Sequence, residues 1–146
     1  MREALRLASK AAAGEEVPIG ALIAKNGRII GRGYNQVEML QDPTAHAEIL
    51  AITQAAAELH DWRLTDCDLF VTKEPCPMCA GAAVHGRLRR VVFGCTDPRG
   101  GGAGSLVNLL QNPKLNHQCG ISAGVLAEEC AQLLQDFFQK RRNASA

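Results

Sequence analysis

The sequence has little net charge, few aromatic residues and no long apolar run. Its 146 residues carry a formal net charge of +1, without the overall basic character common in nucleic-acid-binding domains. No apolar stretch reaches the roughly 18 residues that a membrane-spanning helix needs, and the first residues lack the apolar core of a secretory signal. We therefore expect a cytoplasmic protein with no membrane association, in which any affinity for nucleic acid is local.

Linkers, internal repeats and low-complexity tracts are also missing. A chain of this length with 47% hydrophobic residues can bury one core, so we predict a single domain over residues 1–146. Two short basic clusters, at residues 87–90 and 140–142, are candidate contacts for nucleic acid or are simply solvated faces.

The spacing of the cysteines does not indicate disulfide bonds. In a reducing compartment the six cysteines indicate metal ligands or small buried residues rather than three disulfides. Only Cys76 and Cys79 are spaced as metal ligands. The other four are expected to be buried apolar residues, namely Cys67, Cys95, Cys119 and Cys130.

Alternating helix and strand patterns predict an α/β fold. Residues 2–13 have helical periodicity that ends at Gly14, where a left-handed cap is expected. Asn26-Gly27 stands between two apolar stretches and predicts an antiparallel hairpin over residues 17–35 with a type I′ turn. Further strands are predicted at DLFVT, RRVVFG and QCGIS, so the sheet is expected to be mixed.

Three more helices follow from the periodicity. One is predicted from beside His46 to about His60, capped by Asp42 or Thr44. Another begins at the paired cysteines with Pro75 in its first turn. The last covers GVLAEECAQLLQDFFQKRR near the C-terminus.

His46, Cys76 and Cys79 are three candidate ligands for a zinc ion. Catalytic zinc sites use three protein ligands and keep the fourth position for water. The cysteines lie at i and i+3 on the opening turn of a predicted helix, so both sulfurs face one side and the helix N-terminus favours thiolate. The spacing therefore predicts one zinc ion per chain.

Glu48 is the candidate general acid/base beside that ion. Bound zinc lowers the pKa of water toward about 7. At the start of a helix, two residues after His46, Glu48 would lie near this water and pass its proton to a ring nitrogen and then to a departing amine. A redox CxxC pair or half of a structural zinc site remains an alternative, but neither gives His46 and Glu48 a role.

The segments His46-Ala47-Glu48 and Pro75-Cys76-Pro77-Met78-Cys79 match the H-x-E and P-C-x-x-C signature of zinc-dependent nucleobase deaminases. Similarity extends over nearly the whole chain, which resembles the bacterial tRNA adenosine deaminases. The segments that carry it are VPIGALI, GRGYN, DPTAHAEILAI, VTKEPCPMCAGA, RVVFG, DPRGGGAGSL, LNH and FFQKRR.

This resemblance implies a three-layer α/β/α cytidine deaminase-like fold with a five-stranded mixed sheet. It also implies zinc-dependent hydrolysis of adenosine to inosine at the wobble position of an arginine tRNA, bound through its anticodon stem-loop, by a homodimer with one Zn²⁺ per subunit. Asn35 would contact the target nucleotide, the Ala47 backbone would lie near the activated water, and Asp97 would lie near the RNA backbone. Without the resemblance, these three are packing residues and a turn cap.

Several points stay open in the sequence. The zinc signature also suits a free guanine or cytosine deaminase, and a non-catalytic RNA-binding module with structural zinc is a third possibility; only a deaminase needs Glu48. Glu74 either positions the junction before the cysteines or faces solvent. The glycines at 100–102 are expected to form a flexible or tightly turning loop, because no G-K-[ST] follows them.

Overall fold

The fold is an α/β arrangement on a mixed sheet, described by a computed structural model for residues 1–145. Over this range the strands are β1 Gly20–Lys25, β2 Arg28–Tyr34, β3 Cys67–Lys73, β4 Arg90–Cys95 and β5 Gly120–Ser122. The helices of the same range are α1 Arg2–Ala13, α2 Val37–Leu40, α3 Ala47–Leu59, α4 Pro77–His85 and α5 Ala127–Ser145.

The sheet confirms the predicted topology class. Across residues 1–145 it has five strands in the order β2-β1-β3-β4-β5. β1 pairs antiparallel with β2 and β3, whereas β3, β4 and β5 run parallel. The hairpin turn has φ of 52° at Asn26 and 75° at Gly27, and positive φ at both central residues is the requirement of a type I′ turn.

Helices cover both faces of the sheet, so the three-layer prediction is also confirmed. Alternate strand residues such as Ile23, Leu69 and Val91 share one core cluster with the alanines of α3 and α4. α1 and α5 contact each other and pack on the strands from the other side. Because successive strand side chains point to opposite faces, each face receives its own set of apolar residues.

Two glycines of β2 allow α3 to lie directly on the strand. A Cβ atom at Gly33 would overlap the carbonyl oxygen of Ala47, and one at Gly31 would overlap that of Ala51. Glycine is required at both positions for close approach. This contact sets the height of the first turn of α3 above the sheet, and that turn carries Ala47 and Glu48.

Replacing Gly33 with alanine is expected to destabilise the fold by about 1–3 kcal/mol, because the added methyl group must push α3 away from β2. Gly14→Ala is the matched control, since its Cβ would make an ordinary 3.5 Å contact with the Ala11 oxygen. Urea unfolding of both variants measures the difference. Equal midpoints for the two variants would contradict the close-approach argument.

Two predicted helix termini are wrong. Gly14 follows α1 as expected, but its φ is −94°, and the left-handed residue is Glu15 with φ of 63°. The helix at the cysteines begins at Pro77, with Cys76 as N-cap, and not at Pro75. Cys76 has the extended backbone conformation of an N-cap residue, and its sulfur lies close to both Cys79 and His46.

The start of α3 differs in a similar way. Its N-cap is His46, while Asp42 accepts hydrogen bonds from the backbone N–H and the hydroxyl of Thr44 at 2.8 and 2.7 Å. Asp42 therefore closes a turn before the helix instead of capping it. The short helix α2 had no sequence signal that we identified; buried Glu16 caps it by accepting the backbone N–H groups of Glu38 and Met39.

α5 is largely exposed. Across Ala127–Ser145, Cys130 is the residue that the fold buries fully, and Phe138 is 40% exposed. The basic residues at 140–142 lie on this exposed segment. No helix within residues 1–145 is both long and apolar enough to cross a membrane.

Candidate metal centre and active site

The candidate ligands lie where two helices begin. His46 is the N-cap of α3 and Cys76 is the N-cap of α4; both have extended backbone conformations and neither side chain caps its own helix. Cys79 follows in the first turn of α4 and is fully buried. Helix N-termini carry partial positive charge and favour thiolate over thiol. Both helices thus direct side chains suited to a metal ion into one place.

The three side chains form a cluster of the size that a zinc ion requires. The Nδ1 atom of His46 lies 3.6 Å from the Sγ of Cys76 and 3.5 Å from the Sγ of Cys79. Zinc bonds of about 2.3 Å to sulfur and about 2.0 Å to nitrogen, at a tetrahedral angle, place nitrogen and sulfur roughly 3.6 Å apart. Among the described residues 1–145, this is the one group of three such side chains close enough to share an ion.

The pKa values of the three side chains in the cluster are shifted in different directions. Hydrogen bonding to Cys79 and His46 lowers the pKa of the Cys76 thiol to about 4, although burial opposes this. The same hydrogen bond to Cys76, together with burial, raises the pKa of Cys79, and the bond to Cys76 also raises the pKa of His46. A metal ion that binds here must therefore displace the proton of Cys79 and competes with protonation of His46.

Metal affinity is expected to fall as the pH falls. The raised pKa values of Cys79 and His46 mean that the metal-free protein binds more protons than the metal-bound protein, so affinity should drop by about tenfold per pH unit for each proton displaced. Competition titrations with a chromophoric chelator at several pH values measure this slope. A pH-independent affinity would contradict the proposed ligand set.

Glu48 lies in the first turn of α3, beside the cluster and not within it. The residue is buried, and this burial raises the pKa of its carboxyl to about 6, although its own backbone N–H and the charge of His46 oppose the rise. The charge of Cys76 raises the pKa of Glu48 further, whereas a hydrogen bond with Cys79 lowers it. A carboxyl group that titrates near neutral pH can both accept and return a proton.

Asn35 and Ala47 lie at the same end of the sheet as the cluster. Asn35 follows β2 and is buried, and its side-chain oxygen accepts the backbone N–H of Val37 at 3.2 Å. The next residue, Gln36, donates its N–H to the Ala45 carbonyl at 3.1 Å, which joins this strand end to the segment before His46. Ala47 is fully buried as the first residue of α3.

Asp97 is held by its own loop and by β3. One carboxylate oxygen accepts the backbone N–H groups of Arg99 and Gly100, each at 3.2 Å, and the other lies 3.1 Å from the Lys73 Nζ. Burial alone would raise the pKa of this carboxyl, but these contacts lower it. The carboxylate therefore caps a turn, which was the structural alternative to RNA contact.

Glu74, whose position the sequence left undecided between the strand–helix junction and solvent, lies two residues before Cys76. It is buried, so the solvent-facing alternative is wrong. Its carboxylate accepts the backbone N–H groups of Asp97, Ala103 and Ser105 at 3.0, 3.1 and 3.1 Å, and also the Ser105 hydroxyl. Burial opposes the ionised form, but these hydrogen bonds lower its pKa. The sequence signal was an acid placed directly between a buried strand and the ligand pair.

The glycine-rich loop is packed against the site. A Cβ atom at Gly101 would overlap the Glu74 carboxylate, and one at Gly102 would lie 3.0 Å from the Cys76 carbonyl group and from the Cys79 neighbour Ala80. Neither glycine has positive φ, so close approach is the reason for glycine here. Of the two predicted alternatives, a flexible or a tightly turning loop, these contacts favour the second.

Other candidate residues lie outside the cluster. His60 ends α3 and His85 ends α4, at the helix ends opposite the ligands, while His117 shares a 2.7 Å hydrogen bond with the Leu88 carbonyl. In the basic cluster at residues 87–90, two arginines are paired with Asp68: Arg89 at 3.0 Å and Arg90 at 3.2 Å. His117 and the two arginines therefore have partners within the fold.

Comparison with known proteins adds independent findings. A model of the MafB19-like deaminase family matches residues 1–142. Over 142 residues the chain is 51% identical to the tRNA-specific adenosine deaminase of Bacillus subtilis, a match that covers 97% of this chain and 88% of that protein.

Solved structures of deaminases are also similar to this chain. A tRNA:A34 deaminase studied for A-to-I editing at the wobble position of transfer RNA is similar with a TM-score of 0.89 and 42% identity, covering 92% of this chain and 97% of that one. The guanine deaminase of Bacillus subtilis is similar with a TM-score of 0.65 and 34% identity, covering 97% and 90%. By TM-score and by sequence identity, the chain is thus more similar to the tRNA:A34 deaminase than to this guanine deaminase.

Proposed function

The chain belongs to the tRNA-specific adenosine deaminases within the MafB19-like deaminase family, and from this membership we propose that it hydrolyses adenosine to inosine at the wobble position of tRNA. One observation carries the proposal. The N-termini of α3 and α4 bring together His46, Cys76, Cys79 and Glu48, in a chain similar to the tRNA-specific adenosine deaminases. Water adds at C6 of the adenine, and ammonia leaves.

The metal in the proposal is Zn²⁺, one ion per chain. His46 would bind it through Nδ1, and Cys76 and Cys79 would bind it through their sulfurs. The donor types and the separations of 3.5 and 3.6 Å support zinc, and three protein ligands are the number found in catalytic zinc sites. When bound, the ion supplies a Lewis acid that activates water at neutral pH.

Glu48 is the proposed general acid/base. As a carboxylate it accepts a proton from the attacking water and transfers it to N1 of the adenine ring. It then accepts the second proton of that oxygen and transfers it to the amino group, which leaves as ammonia. A pKa of about 6 supports both protonation states near neutral pH, so the same side chain can complete both transfers.

Three residues are proposed on the substrate side. Asn35 would contact the target nucleoside, since it is buried at the strand end nearest the ligand segment. The Ala47 backbone would lie near the activated water, because Ala47 is the first residue of α3 and the first N–H groups of a helix have no partner within it. Asp97 would lie near the RNA backbone, where the contact with Lys73 offsets its negative charge.

The same proposal includes a single-domain enzyme over residues 1–146 that acts in the cytoplasm as a homodimer. Six free cysteines suit a reducing compartment, where tRNA is also present. Exposed apolar side chains support contact with a second chain. They occur in α2, in the first turn of α4 and in the loop after Gly102, and comprise Met39, Leu40, Met78, Leu106 and Val107.

The test is conversion of an arginine tRNA anticodon stem-loop with adenosine at the wobble position. Zinc-loaded protein is expected to produce inosine at that nucleotide, and not at adenosines elsewhere in the loop. The second candidate, a free guanine deaminase, is supported by the 34% identity to the Bacillus subtilis enzyme. Ammonia from free guanine, with no inosine in the RNA, would select that candidate and reject ours.

A further inference from the structure

Glu74 connects two parts of the molecule that are distant in sequence. It follows the last residue of β3 and stands two residues before Cys76. Its four hydrogen-bond donors all come from the segment between residues 97 and 105. The segment is held at this point, because one carboxylate accepts N–H groups from both of its ends.

The same segment lies against the metal ligands. Gly102 donates its N–H to the Pro75 carbonyl at 2.7 Å, and a Cβ atom at Gly102 would be only 3.0 Å from the carbonyl group of Cys76. The loop therefore lies directly beside the backbone of one candidate ligand. Glu74 itself does not belong to the ligand group.

We propose that Glu74 is a positioning residue for substrate binding: its carboxylate fixes the loop at residues 97–105 as a wall of the site beside Cys76. The inference rests on the proposed function, because the wall is assigned to the tRNA substrate. Loss of the carboxylate should loosen the wall and weaken RNA binding, while the metal and the general acid/base keep their places.

The ionised carboxylate is needed at this position because its two oxygens face donors only. One oxygen accepts from Asp97 and from the Ser105 hydroxyl, and the other accepts from the N–H groups of Ala103 and Ser105. A glutamine would present an NH₂ group to two of these donors, so hydrogen bonds must break whichever way the amide is oriented. Hydrogen bonds to an ionised acceptor are also the stronger ones.

The experiment compares wild type with Glu74→Gln and Gly101→Ala. The second variant disturbs the same contact from the loop side, because its Cβ would displace the carboxylate. Three quantities are measured for each protein: hydrogen exchange of the amides of Asp97, Ala103 and Ser105, zinc per chain, and kcat and KM on the anticodon stem-loop.

Both variants are expected to speed exchange at these amides and to raise KM by about tenfold or more, with kcat changed by less than about threefold. Zinc should stay near one per chain. Asp68→Asn, which removes a buried carboxylate at the opposite end of β3, and Gly120→Ala, whose Cβ would make only ordinary contacts, are the matched controls. Both controls should leave KM and the exchange of the loop unchanged.

Three results would overturn the inference: unchanged exchange in Glu74→Gln, faster exchange with unchanged KM, or loss of zinc. The last would show that Glu74 supports the ligand helix and not the loop. Failure of the proposed function is recognised separately, since wild type itself would then make no inosine. The exchange measurement needs no substrate and would still show whether Glu74 holds the loop.

Discussion

Replacing Glu48 with glutamine is expected to abolish deamination while the metal stays bound. Glutamine has nearly the same shape but cannot accept and return a proton, and general acid/base catalysis contributes about 10²–10⁴-fold to such reactions. Glu48 does not belong to the ligand group, so zinc should stay near one per chain. Inosine formation at saturating enzyme, together with zinc analysis of the same sample, measures both effects.

Glu58→Gln is the matched control for this prediction. Glu58 lies in the same helix, but its side chain is 51% exposed and paired with Arg28 on the surface, so its removal should leave turnover unchanged. A wild-type rate in Glu48→Gln would exclude the proton-transfer role. Loss of zinc from that variant would instead make Glu48 a ligand.

Replacing Cys79 with alanine is expected to remove both the metal and the activity. Cys79 is fully buried and belongs to the ligand group, so the variant leaves two ligands for the ion. Because zinc binding free energy contributes directly to folding, the variant should unfold at a lower temperature, and chelator should not lower that temperature further. Zinc analysis and thermal unfolding with and without chelator measure these effects.

Cys67→Ala separates loss of a ligand from loss of a buried cysteine. Cys67 is as deeply buried as Cys79 but stands at the start of β3, outside the ligand group. Its replacement should cost about 1 kcal/mol for the lost packing and leave zinc and turnover intact. If the two variants bound the same amount of zinc, Cys79 would not be a ligand.

The sequence was informative where a local pattern has one physical solution. Asn26-Gly27 between apolar stretches specified the hairpin turn, and the i, i+3 spacing of Cys76 and Cys79 brought both sulfurs to one side. The start of α4 was predicted wrongly because two prolines flank Cys76. Either proline fits a first turn, and only the need for an extended N-cap, which directs the sulfur toward His46, selects Pro77.

Contacts between distant segments had no such local signal. The donors to Glu74 lie 23 to 31 residues further along the chain, and they reach it because β3 and β4 pair in parallel. The cap of α2 comes from Glu16, 22 residues before Glu38. For the same reason the triple glycine did not decide between a flexible and a tightly turning loop, whereas in the structure its missing Cβ atoms allow close packing on Glu74 and Cys76.

The H-x-E and P-C-x-x-C segments lie at the start of two different helices that begin close together. The proposed deamination needs both segments because each supplies part of the site. α3 supplies His46 and Glu48, and α4 supplies Cys76 and Cys79. The helices are held by different strands, since α3 lies on the glycines of β2 and α4 follows β3. The sheet therefore fixes the distance between Cys76 and Cys79 on one helix and Glu48, the proposed proton-transfer residue, on the other.

X-ray absorption at the zinc edge of the purified chain shows directly whether His46, Cys76 and Cys79 hold a zinc ion. We expect one zinc ion per chain with two sulfur neighbours at about 2.3 Å, one histidine nitrogen at about 2.0 Å and one further light atom from solvent. A spectrum with four sulfur neighbours, one without histidine, or a protein free of zinc after chelator-free purification would contradict it.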